Sequence, residues 1–381
     1  MRTIHLINGL GTGGAERSLA EIVRRFPALG IQPTVVCLNR RQEGVEAQVI
    51  AAGVDVRFLE AAKFIPRVRE LRTVLWSVKP TVLHTTIFEA DVLGRLAAIR
   101  STPVLTSLVN TSYGPERLAD PNVKPHRLRA VQALDALTAH ALTARFHAIT
   151  EAVKAAAMRD LRLNEAKISV VPRGRDPQRL GLRSVTRRAS VRAALGIDSQ
   201  TQVVLNVGRQ EFQKGQVHLL RAASAVAQQR NDVVWLIAGR EGNASKQLRD
   251  EHDLLELGDR VRFLGHRDDV PDLLAAADIF VFPSLYEGLG GAAIEAMALE
   301  APIIAADVPA LREVLDDGSC GVLVPPADPT QLAGAVLSVL DDEPRRRELA
   351  AQALQRFHER YTVDQMVGGM ADLLRLTAES S

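Results

Sequence analysis

Two cations in the second half of the chain have a spacing that could hold a phosphorylated ligand. Arg209 follows a short apolar run typical of a β-strand, and Lys214 stands just before an amphipathic run typical of a helix. A lysine at a helix N-terminus opposes the helix dipole unless an anion is bound there. Arg209 and Lys214 therefore predict a clamp for phosphate groups, with two solvated surface cations as the alternative.

A glycine-rich segment between two carboxylates lies further along the same half. Glu287 precedes the segment, and Glu295 follows it inside the first turns of a predicted helix. The segment consists of Gly288, Leu289, Gly290 and Gly291. Glycines let backbone N–H groups approach an anion closely, which predicts a second phosphate cradle. A diphosphate repels carboxylates, so we expect Glu287 to accept hydrogen bonds from sugar hydroxyls and Glu295 from a ribose.

Two other interpretations of Glu287 stay open at this point. Ser284 and Glu287 have the spacing of a capping box, although the glycines that follow disfavour a helix beginning there. The two carboxylates could also form the acid–base pair of a glycosidase, but that chemistry gains nothing from the neighbouring cations and glycines.

A second glycine-rich stretch lies at the N-terminus and indicates a different chemistry. Gly9, Gly11 and Gly14 fit the pattern G-x-G-x-x-G after an apolar run, which is typical of dinucleotide binding. Arg40 and Arg41 follow the second apolar run, where an NADP enzyme would place cations against a 2′-phosphate. An NADP-dependent oxidoreductase is therefore the main alternative function. Against it, no tyrosine is followed four residues later by a lysine, and the most reactive segments lie in the other half.

The elements that must position these residues alternate between short β-branched runs and Ala/Leu-rich amphipathic runs, which is typical of parallel βαβ units. Seven strands are predicted in the first half, at TIHLIN, PTVVCLN, VDVRFLE, TVLHTT, PVLTSLV, RFHAIT and ISVVP. Six are predicted in the second half, at QVVLNVG, DVVWLIAG, RVRFLG, DIFVFPS, PIIAAD and GVLVPP. The sequence thus predicts an α/β protein with two doubly wound, Rossmann-like domains.

The domain boundaries follow from the composition of the connecting segments. Residues 1–172 are expected to form the first domain and residues 193–360 the second, joined by an Arg-rich linker at 173–192. Residues 361–381 have a helical pattern with no strand after it, and we expect them to pack back on the first domain. Ligands of such sheets bind at the carboxyl ends of the strands, so a cleft between the two domains is the expected site.

Charge and composition limit the partners. Residues 1–192 hold 30 Lys and Arg against 16 Asp and Glu, a net charge of +14, whereas residues 193–381 hold 17 against 29, a net charge of −12. The basic half could face an anionic acceptor or membrane, but an aromatic content of 4% disfavours a base-stacking surface for nucleic acid.

Two distant cysteines argue against a disulfide scaffold or a zinc site. No apolar run approaches the ~20 residues that span a bilayer, which predicts a cytoplasmic protein.

The pattern E-G-x-G-x-x-x-x-E at 287–295, together with Arg209 and Lys214-Gly215, closely resembles family 4 of the retaining glycosyltransferases. The resemblance extends over nearly the whole chain. It includes the N-terminal GTGGAE, HTTIFEADVLGRLAA at 84–98, HAITEAVK at 147–154 and VVPRGRD at 170–176.

This resemblance implies a GT-B fold, in which the two domains face each other across a cleft. It implies a nucleotide sugar, UDP- or GDP-linked, as donor on the second domain, a glycan or lipid-linked acceptor on the first, and neither cofactor nor metal. Arg209 and Lys214 would neutralise the departing diphosphate. Glu287 would contact the donor sugar, Glu295 the ribose, and residues 288–291 the sugar and phosphates. No protein nucleophile is implied, because the leaving phosphate deprotonates the incoming hydroxyl on the same face.

The resemblance implies roles for four further glycine and histidine positions. Gly265 and His266, after the RVRFLG strand, would lie near the base. Gly13 and Gly14 begin a predicted helix and would approach the donor diphosphate or the acceptor across the cleft.

The chain departs from the family pattern in three places. Many members have a histidine after the fifth strand, where this chain offers Asn110 or Thr111. His84 and His147, at other strand ends, are acceptor-side candidates or structural residues. Arg173 replaces a common asparagine in the turn between the domains, and Glu300 replaces a common glycine, which we interpret as surface variation.

One segment bears on location. Residues 63–80 place Phe64, Ile65, Val68, Leu71 and Leu75 near one helical face with arginines around it. The face predicts either a helix that covers the sheet or one that lies on the inner surface of an anionic membrane. The sequence thus predicts a retaining glycosyltransferase of cell-surface polysaccharide or glycolipid synthesis, with a catalytically silent partner subunit as a further alternative.

Overall fold

The computed structural model of the protein describes residues 1–99 and 101–379, which form two compact units. The first unit comprises Met1–Leu118, Lys124–Gly174 and Val363–Ser381, and the second comprises Ala119–Val123 and Arg175–Thr362. Each unit has one sheet in which all neighbouring strands are parallel. The prediction of two doubly wound, Rossmann-like domains is confirmed.

The sheet of the first unit contains the seven predicted strands. These are β1 (Arg2–Ile7), β2 (Gln32–Cys37), β3 (Asp55–Phe58), β4 (Val82–Thr86), β5 (Val104–Leu108), β6 (Arg145–Ala148) and β7 (Ile168–Val170). Within the described residues their order is β3-β2-β1-β4-β5-β6-β7. The direction of winding therefore reverses between β1 and β4, where doubly wound sheets bind ligands.

Helices cover both faces of this sheet, as a parallel sheet requires. They are α1 (Gly14–Arg25), α2 (Glu46–Ala51), α3 (Phe64–Val78), α4 (Phe88–Ala97), α5 (Pro115–Leu118), α6 (Pro125–Leu142) and α7 (Glu151–Asp160). Ile4 and Leu6 of β1 pack with α3 and α4, whereas Ile7 packs with α1. This alternation along one strand is the period of two that places successive side chains on opposite faces.

The helix α3 differs in part from its prediction. Val68, Leu71 and Leu75 are buried against the sheet, so α3 is a sheet-covering helix. Phe64 and Ile65 do not share that buried face, since they are 38% and 59% exposed. Both belong to the first turn, which extends beyond the part of the helix that packs on the sheet.

The sheet of the second unit contains the six predicted strands. These are β8 (Gln202–Val207), β9 (Val233–Ala238), β10 (Val261–Gly265), β11 (Ile279–Phe282), β12 (Ile303–Ala306) and β13 (Val322–Val324). Their order in the described chain is β10-β9-β8-β11-β12-β13, with the reversal between β8 and β11. The loops that follow β8 and β11 are those with Lys214 and Glu287.

Nine helices of the described chain belong to this unit. They are α8 (Pro177–Leu180), α9 (Val185–Ala194), α10 (Gln216–Ala227), α11 (Ser245–Leu254), α12 (Val270–Ala276), α13 (Gly291–Ala298), α14 (Pro309–Val314), α15 (Pro329–Asp341) and α16 (Glu343–Arg360). Helices α10, α11 and α15 pack with the strands of this sheet in one apolar cluster. Short 3₁₀ turns complete the two units, at Phe26–Leu29, Glu165–Lys167, Phe212–Lys214, Gly258–Arg260 and Asp316–Gly318.

The structure differs from the prediction at the expected linker, 173–192. The helix α9 begins within it, where the Ser184 hydroxyl accepts a hydrogen bond from the Arg187 backbone. The arginine side chains bond carboxylates of the same unit, Arg187 to Asp272 and Arg188 to Asp278, both at 2.7 Å. Arg-rich sequence without apolar periodicity looks like a linker, but here ion pairs hold it against the second unit.

The last helix, α17 (Val363–Ala378), belongs to the first unit. Its Met366 and Met370 pack in one cluster with Ile22 and Phe26 at the end of α1. None of the helices within 1–99 and 101–379 has the length and apolar composition needed to cross a bilayer.

Candidate functional site

The loop after β8 is fixed against the loop after β11 by backbone contacts. Gly215 ends the 3₁₀ turn with φ 61°, and a Cβ there would overlap the carbonyl oxygen of Pro283. Gln213 adds two hydrogen bonds, since its carbonyl accepts from the Leu285 N–H and its side chain donates to the Tyr286 carbonyl, both at 2.8 Å. Only glycine fits at 215, so the start of α10 is held next to the segment with Glu287.

Lys214 and Glu287 meet across these two loops. Lys214 Nζ lies 2.5 Å from Glu287 Oε1, and the two side chains are 18% and 8% exposed. The same ammonium lies 5.2 Å from the centre of the Phe282 ring. The cation that the sequence predicts for a phosphate is thus paired with the carboxylate predicted for a sugar, so one ligand with phosphate and hydroxyl groups could contact both.

Arg209 lies on the same loop but is exposed. Its side chain is 66% exposed and forms an ion pair with Glu211 at 2.8 Å. An exposed pair of this kind contributes little to stability, so Arg209 can exchange Glu211 for a ligand anion at low cost. The two residues of the predicted phosphate clamp therefore differ: Lys214 is held in place by its ion pair, whereas Arg209 lies at the surface of the unit.

The glycine-rich segment leads directly into α13. Gly290 is the N-cap with φ 91°, and a Cβ there would lie 2.6 Å from Leu311 and 3.0 Å from Phe282. No side chain caps the helix, so its positive end is available to an anion. The capping-box interpretation of Ser284 is wrong, because no helix begins there and its buried hydroxyl has no hydrogen-bond partner among the described residues.

Glu295 is held by a residue that the sequence does not single out. Arg175 Nε donates to Glu295 Oε1 at 2.6 Å, and the two side chains are 14% and 12% exposed. The guanidinium also occupies the space that a Cβ on Gly291 would need. The two residues are 120 positions apart, and no spacing rule connects them.

Gly265 and His266 lie at the carboxyl end of another strand of the same sheet. Gly265 ends β10 with φ 65°, and its carbonyl accepts from the Gly239 N–H at 2.8 Å. His266 is 34% exposed and lies 3.3 Å from Asp268. The predicted donor-binding residues of the second unit are thus spread over the carboxyl ends of β10, β8 and β11, which form one edge of the sheet.

The remaining candidates belong to the first unit. Gly13 is the N-cap of α1 and has no side-chain hydrogen bond, and Gly14 begins the helix. A Cβ on Gly14 would lie 3.6 Å from the Arg173 guanidinium, an ordinary contact distance. Asn110 and Thr111 follow β5, where the Thr111 N–H donates to Asn110 Oδ1 at 2.9 Å.

His84 and His147 belong to a buried chain of hydrogen bonds that runs across the first sheet. His5 Nδ1 lies 2.9 Å from His84 Nδ1, and Ser107 Oγ lies 2.7 Å from both His84 Nε2 and His147 Nδ1. Thr3 Oγ1 ends the chain on one side, 3.0 Å from His5 Nε2, and the Val171 carbonyl ends it on the other, 2.8 Å from His147 Nε2. Both ring nitrogens of His84 and His147 are therefore engaged inside the protein.

The Val171 carbonyl fixes every proton in this chain, because a carbonyl can only accept. His147 Nε2 must donate to it, so in the neutral ring Nδ1 accepts from the Ser107 hydroxyl. Ser107 then accepts from His84 Nε2–H, which leaves His84 Nδ1 to accept from His5 Nδ1–H. His5 Nε2 finally accepts from the Thr3 hydroxyl.

Burial keeps these imidazoles neutral. It lowers the pKa of His5 to about 3 and that of His147 to about 4. Burial also lowers the pKa of His84 well below 6.5, with His5, His147 and Arg173 acting in the same direction. A charged imidazole in this environment would have to be desolvated.

His84, Ser107 and His147 line a cavity beneath α1 and α17. Ser18 of α1 also lines it, and its hydroxyl is buried with no hydrogen-bond partner among the described residues. The sequence did not single out His5 or Ser107. The sequence feature that could have identified them is a polar residue at the same height of adjacent strands. His5 is in register with His84, and Ser107 is in register with His147.

Two family models match the chain. Residues 12–179 match the model described as Glycosyltransferase Family 4, and residues 187–356 match Glycosyl transferases group 1. The chain belongs to the family-4 glycosyltransferases. The expected family is thereby confirmed, and neither model favours the oxidoreductase alternative for the N-terminal glycines.

Curated relatives are similar over part of their length. The alpha-D-kanosaminyltransferase of Streptomyces kanamyceticus is 32% identical over 188 residues, which are 48% of each chain. An Escherichia coli UDP-Gal:alpha-D-GlcNAc-diphosphoundecaprenol alpha-1,3-galactosyltransferase is 27% identical over 72% of this chain and 70% of its own. The chain spans about half the length of most of the curated relatives it matches.

A solved structure is similar over the full length. HepE of Anabaena, in complex with UDP and glucose, has a TM-score of 0.87 and 21% identity, and the match covers 99% of this chain and 100% of that one. At this identity the similarity establishes the fold. The expected fold of the GT-B glycosyltransferases is therefore confirmed.

Proposed function

We propose that this chain transfers a sugar from a nucleoside diphosphate sugar to a glycan or lipid-linked acceptor, with retention of configuration. The ion pair of Lys214 and Glu287 supports this most directly. It brings a cation and a carboxylate together at the segment that leads into the uncapped N-terminus of α13, in a chain of the glycosyltransferase family. Phosphate, sugar and leaving-group charge can all be bound within that arrangement.

Each group has one task in the reaction. The bond between the sugar C1 and the diphosphate oxygen breaks, and the acceptor oxygen forms a bond to C1 on the same face. The acceptor proton goes to the leaving phosphate, so no protein nucleophile is needed. Lys214 and Arg209 stabilise the negative charge that develops on the diphosphate, while Glu287 holds the sugar and Glu295 the ribose. Neither a metal nor a cofactor enters these steps.

Relatives suggest the class of donor and acceptor. HepE has been crystallised with UDP-glucose, and the Escherichia coli relative is named for UDP-Gal and a diphosphoundecaprenol acceptor. A further relative, from Rhizobium meliloti and 31% identical over 48% of this chain, is a mannosyltransferase of lipopolysaccharide core biosynthesis. We therefore place this chain in the synthesis of a cell-surface polysaccharide or glycolipid, with a UDP-sugar as the first donor to test and a GDP-sugar as the second.

A donor screen tests the proposal. Melting temperatures are measured with UDP-, GDP-, ADP- and dTDP-sugars, and one series is expected to stabilise the protein in proportion to its concentration. Lys214→Ala should abolish the stabilisation, whereas Lys246→Ala, which removes an 83% exposed lysine of α11, should leave it intact. Tight binding of NADPH with no response to any nucleotide sugar would overturn the proposal. A stabilising donor that is neither hydrolysed nor transferred would instead indicate a silent partner subunit.

We further propose that the first unit contacts the cytoplasmic surface of an anionic membrane through α3 and α6. Both helices pack against α4. Their exposed apolar side chains are Phe64, Ile65, Trp76, Leu134 and Leu137, with Trp76 77% exposed. Exposed cations surround them at Lys63, Arg69, Arg72, Lys79, Lys124, Arg127 and Arg129. Apolar insertion combined with this charge is complementary to anionic lipid.

Vesicle sedimentation tests this surface. The protein should bind phosphatidylcholine vesicles that contain phosphatidylglycerol, bind pure phosphatidylcholine weakly, and dissociate as salt is raised. Trp76→Glu and Arg127→Glu should each weaken binding. Leu254→Glu is the control, because Leu254 is 76% exposed but belongs to the second unit. Equal binding by Trp76→Glu and the wild type would contradict the proposal.

A further inference from the structure

Arg175 reaches the start of α13 from a rigid backbone. Its N–H donates to the Tyr361 carbonyl at 2.8 Å, and it forms a parallel β-bridge with Thr362. Tyr361 is 2% exposed, so the residue that accepts this hydrogen bond is part of the core. The guanidinium therefore projects from a fixed point onto Glu295 and Gly291.

The position of this guanidinium does not favour folding. Gly291 is the first residue of α13, and a cation at a helix N-terminus opposes the helix dipole. Arg175 and Glu295 are also largely withdrawn from water, and the desolvation of such a pair offsets most of its Coulomb energy. Aliphatic side chains at both 175 and 295 would serve the fold at least as well, so we ask what the pair contributes to the binding of a ligand.

The glycine-rich segment has the same arrangement at both of its ends. Lys214 holds Glu287 at 2.5 Å before the segment, and Arg175 holds Glu295 at 2.6 Å after it. In each pair one oxygen of the carboxylate is bonded by the cation. The carboxylate is thereby oriented in advance, and binding does not have to order its rotamers.

We propose that Arg175 is a positioning residue of the donor site, which fixes Glu295 so that this carboxylate accepts hydrogen bonds from the ribose hydroxyls. The inference rests on the proposed function, and it adds a residue 120 positions from the motif that contains Glu295. Arg175 acts through Glu295. Its removal should therefore impair the recognition of the ribose hydroxyls, and a 2′-deoxynucleotide tests this for one of them.

The experiment is a calorimetric titration with UDP and 2′-deoxy-UDP, with GDP and 2′-deoxy-GDP run in parallel so that the base does not decide the outcome. The variants are Arg175→Val, Glu295→Gln and the two combined. Arg179→Val is the control, since it removes an exposed arginine four residues further along. Melting temperature and near-ultraviolet circular dichroism establish that each variant is folded.

Arg175→Val is expected to weaken ribonucleotide binding by about tenfold or more, the usual value of a hydrogen bond to a charged group. The preference for UDP over 2′-deoxy-UDP should nearly disappear. In the Glu295→Gln background, Arg175→Val should change that preference no further, because the two residues act as one unit. Arg179→Val should match the wild type.

Two results would overturn the inference. One is an unchanged preference for the ribonucleotide in a folded Arg175→Val protein, and the other is an equal effect of Arg175→Val with and without Glu295. If Arg175→Val does not fold, Arg175→Lys replaces it, since lysine keeps the charge but lacks the Nε donor and should lose the same preference. Failure of wild-type protein to bind any nucleoside diphosphate, with ADP and dTDP included, would refute the proposed function as well. Binding that needs Lys214 but not Arg175 would refute this inference alone.

Discussion

Lys214 of the loop after β8 and Glu287 of the loop after β11 form a 2.5 Å ion pair at the point where the winding of the second sheet reverses. Each residue is the nearest charge partner that the structure gives the other. A substitution of either residue therefore leaves a charge that is 18% or 8% exposed without its counterion. Variants that keep size and alter charge separate the role in binding from the role in folding.

Glu287→Gln should bind the free nucleoside diphosphate about as well as the wild type but lose transfer. The glutamine amide retains a polar contact to Lys214, whereas the sugar hydroxyls lose the carboxylate that would accept their hydrogen bonds. We expect kcat/KM for the donor sugar to fall by about two orders of magnitude, the scale of a lost charged hydrogen bond in the transition state. Steady-state kinetics and UDP titration give the two quantities. Glu211→Gln, at the half-buried partner of the exposed Arg209, is the control.

The strands and the loops that contain Lys214 and Glu287 could be predicted from the sequence, because β-branched runs and the E-G-x-G motif are local patterns. The partner of Glu295 could not be predicted. Arg175 lies next to Glu295 because the Arg175 backbone pairs with Thr362. Similarly, the Arg-rich sequence of α9 predicts a linker, because its ion pairs with Asp272 and Asp278 form only in the folded unit. Contacts of this kind depend on the assembled sheet and leave no periodicity in the sequence.

The stability of the protein should fall as the pH drops below about 6.5, the ordinary pKa of histidine. Burial lowers the pKa of His5 to about 3 and of His147 to about 4, and that of His84 well below its ordinary value. At pH values between the lowered pKa of each folded histidine and its ordinary pKa of about 6.5, the unfolded chain binds protons that the folded chain does not. Each histidine thus contributes stability that is complete above pH 6.5 and lost at up to about 1.4 kcal/mol per pH unit below it.

Asp91 acts in the opposite direction. Its pKa is raised from 3.8 to about 6 by burial, against the lowering effect of Arg95, so between these two pH values the folded chain binds one more proton than the unfolded chain. Urea unfolding at several values between about pH 7 and pH 5 should show a net loss of stability. Asp91→Asn should steepen the loss, and His147→Gln should reduce it. A flat profile in this range would rule out three neutral buried histidines.

Ser107→Ala should interrupt the histidine chain at its centre. The change leaves His84 Nε2–H without an acceptor and His147 Nδ1 without a donor, in a region where both rings are buried. Each unsatisfied group costs about 1–3 kcal/mol. Ser101→Ala is the control, because among the described residues its hydroxyl bonds the Ala98 carbonyl alone, and it should change the free energy of unfolding by less than about 0.5 kcal/mol.

Nitrogen NMR of the imidazoles checks the same chain directly. His84 and His147 should be neutral with the proton on Nε2, and His5 neutral with the proton on Nδ1. This set follows from the Val171 carbonyl at the end of the chain. A His147 ring protonated on Nδ1 alone would contradict it, and so would equal stability of the Ser107→Ala and Ser101→Ala proteins.

Glu300→Gly should stabilise the protein, although the sequence suggested that Glu300 is mere surface variation. Glu300 follows the C-cap of α13 at φ 51°, in the left-handed region. The Ala301 N–H bonds the Ala296 carbonyl at 3.0 Å and the Glu300 N–H bonds the Met297 carbonyl at 3.2 Å. These two bonds define a Schellman motif, whose left-handed residue is usually glycine.

The left-handed conformation costs an ordinary residue roughly 1–2 kcal/mol, which glycine avoids. Glycine is also more flexible in the unfolded chain, and this offsets part of the stabilisation. We therefore expect Glu300→Gly to raise the free energy of unfolding by about 0.5–1 kcal/mol. Glu300→Ala keeps the strain and should change stability little, which separates backbone conformation from loss of the carboxylate. Equal stabilisation by both substitutions in urea unfolding would assign the effect to charge, because only glycine relieves the backbone.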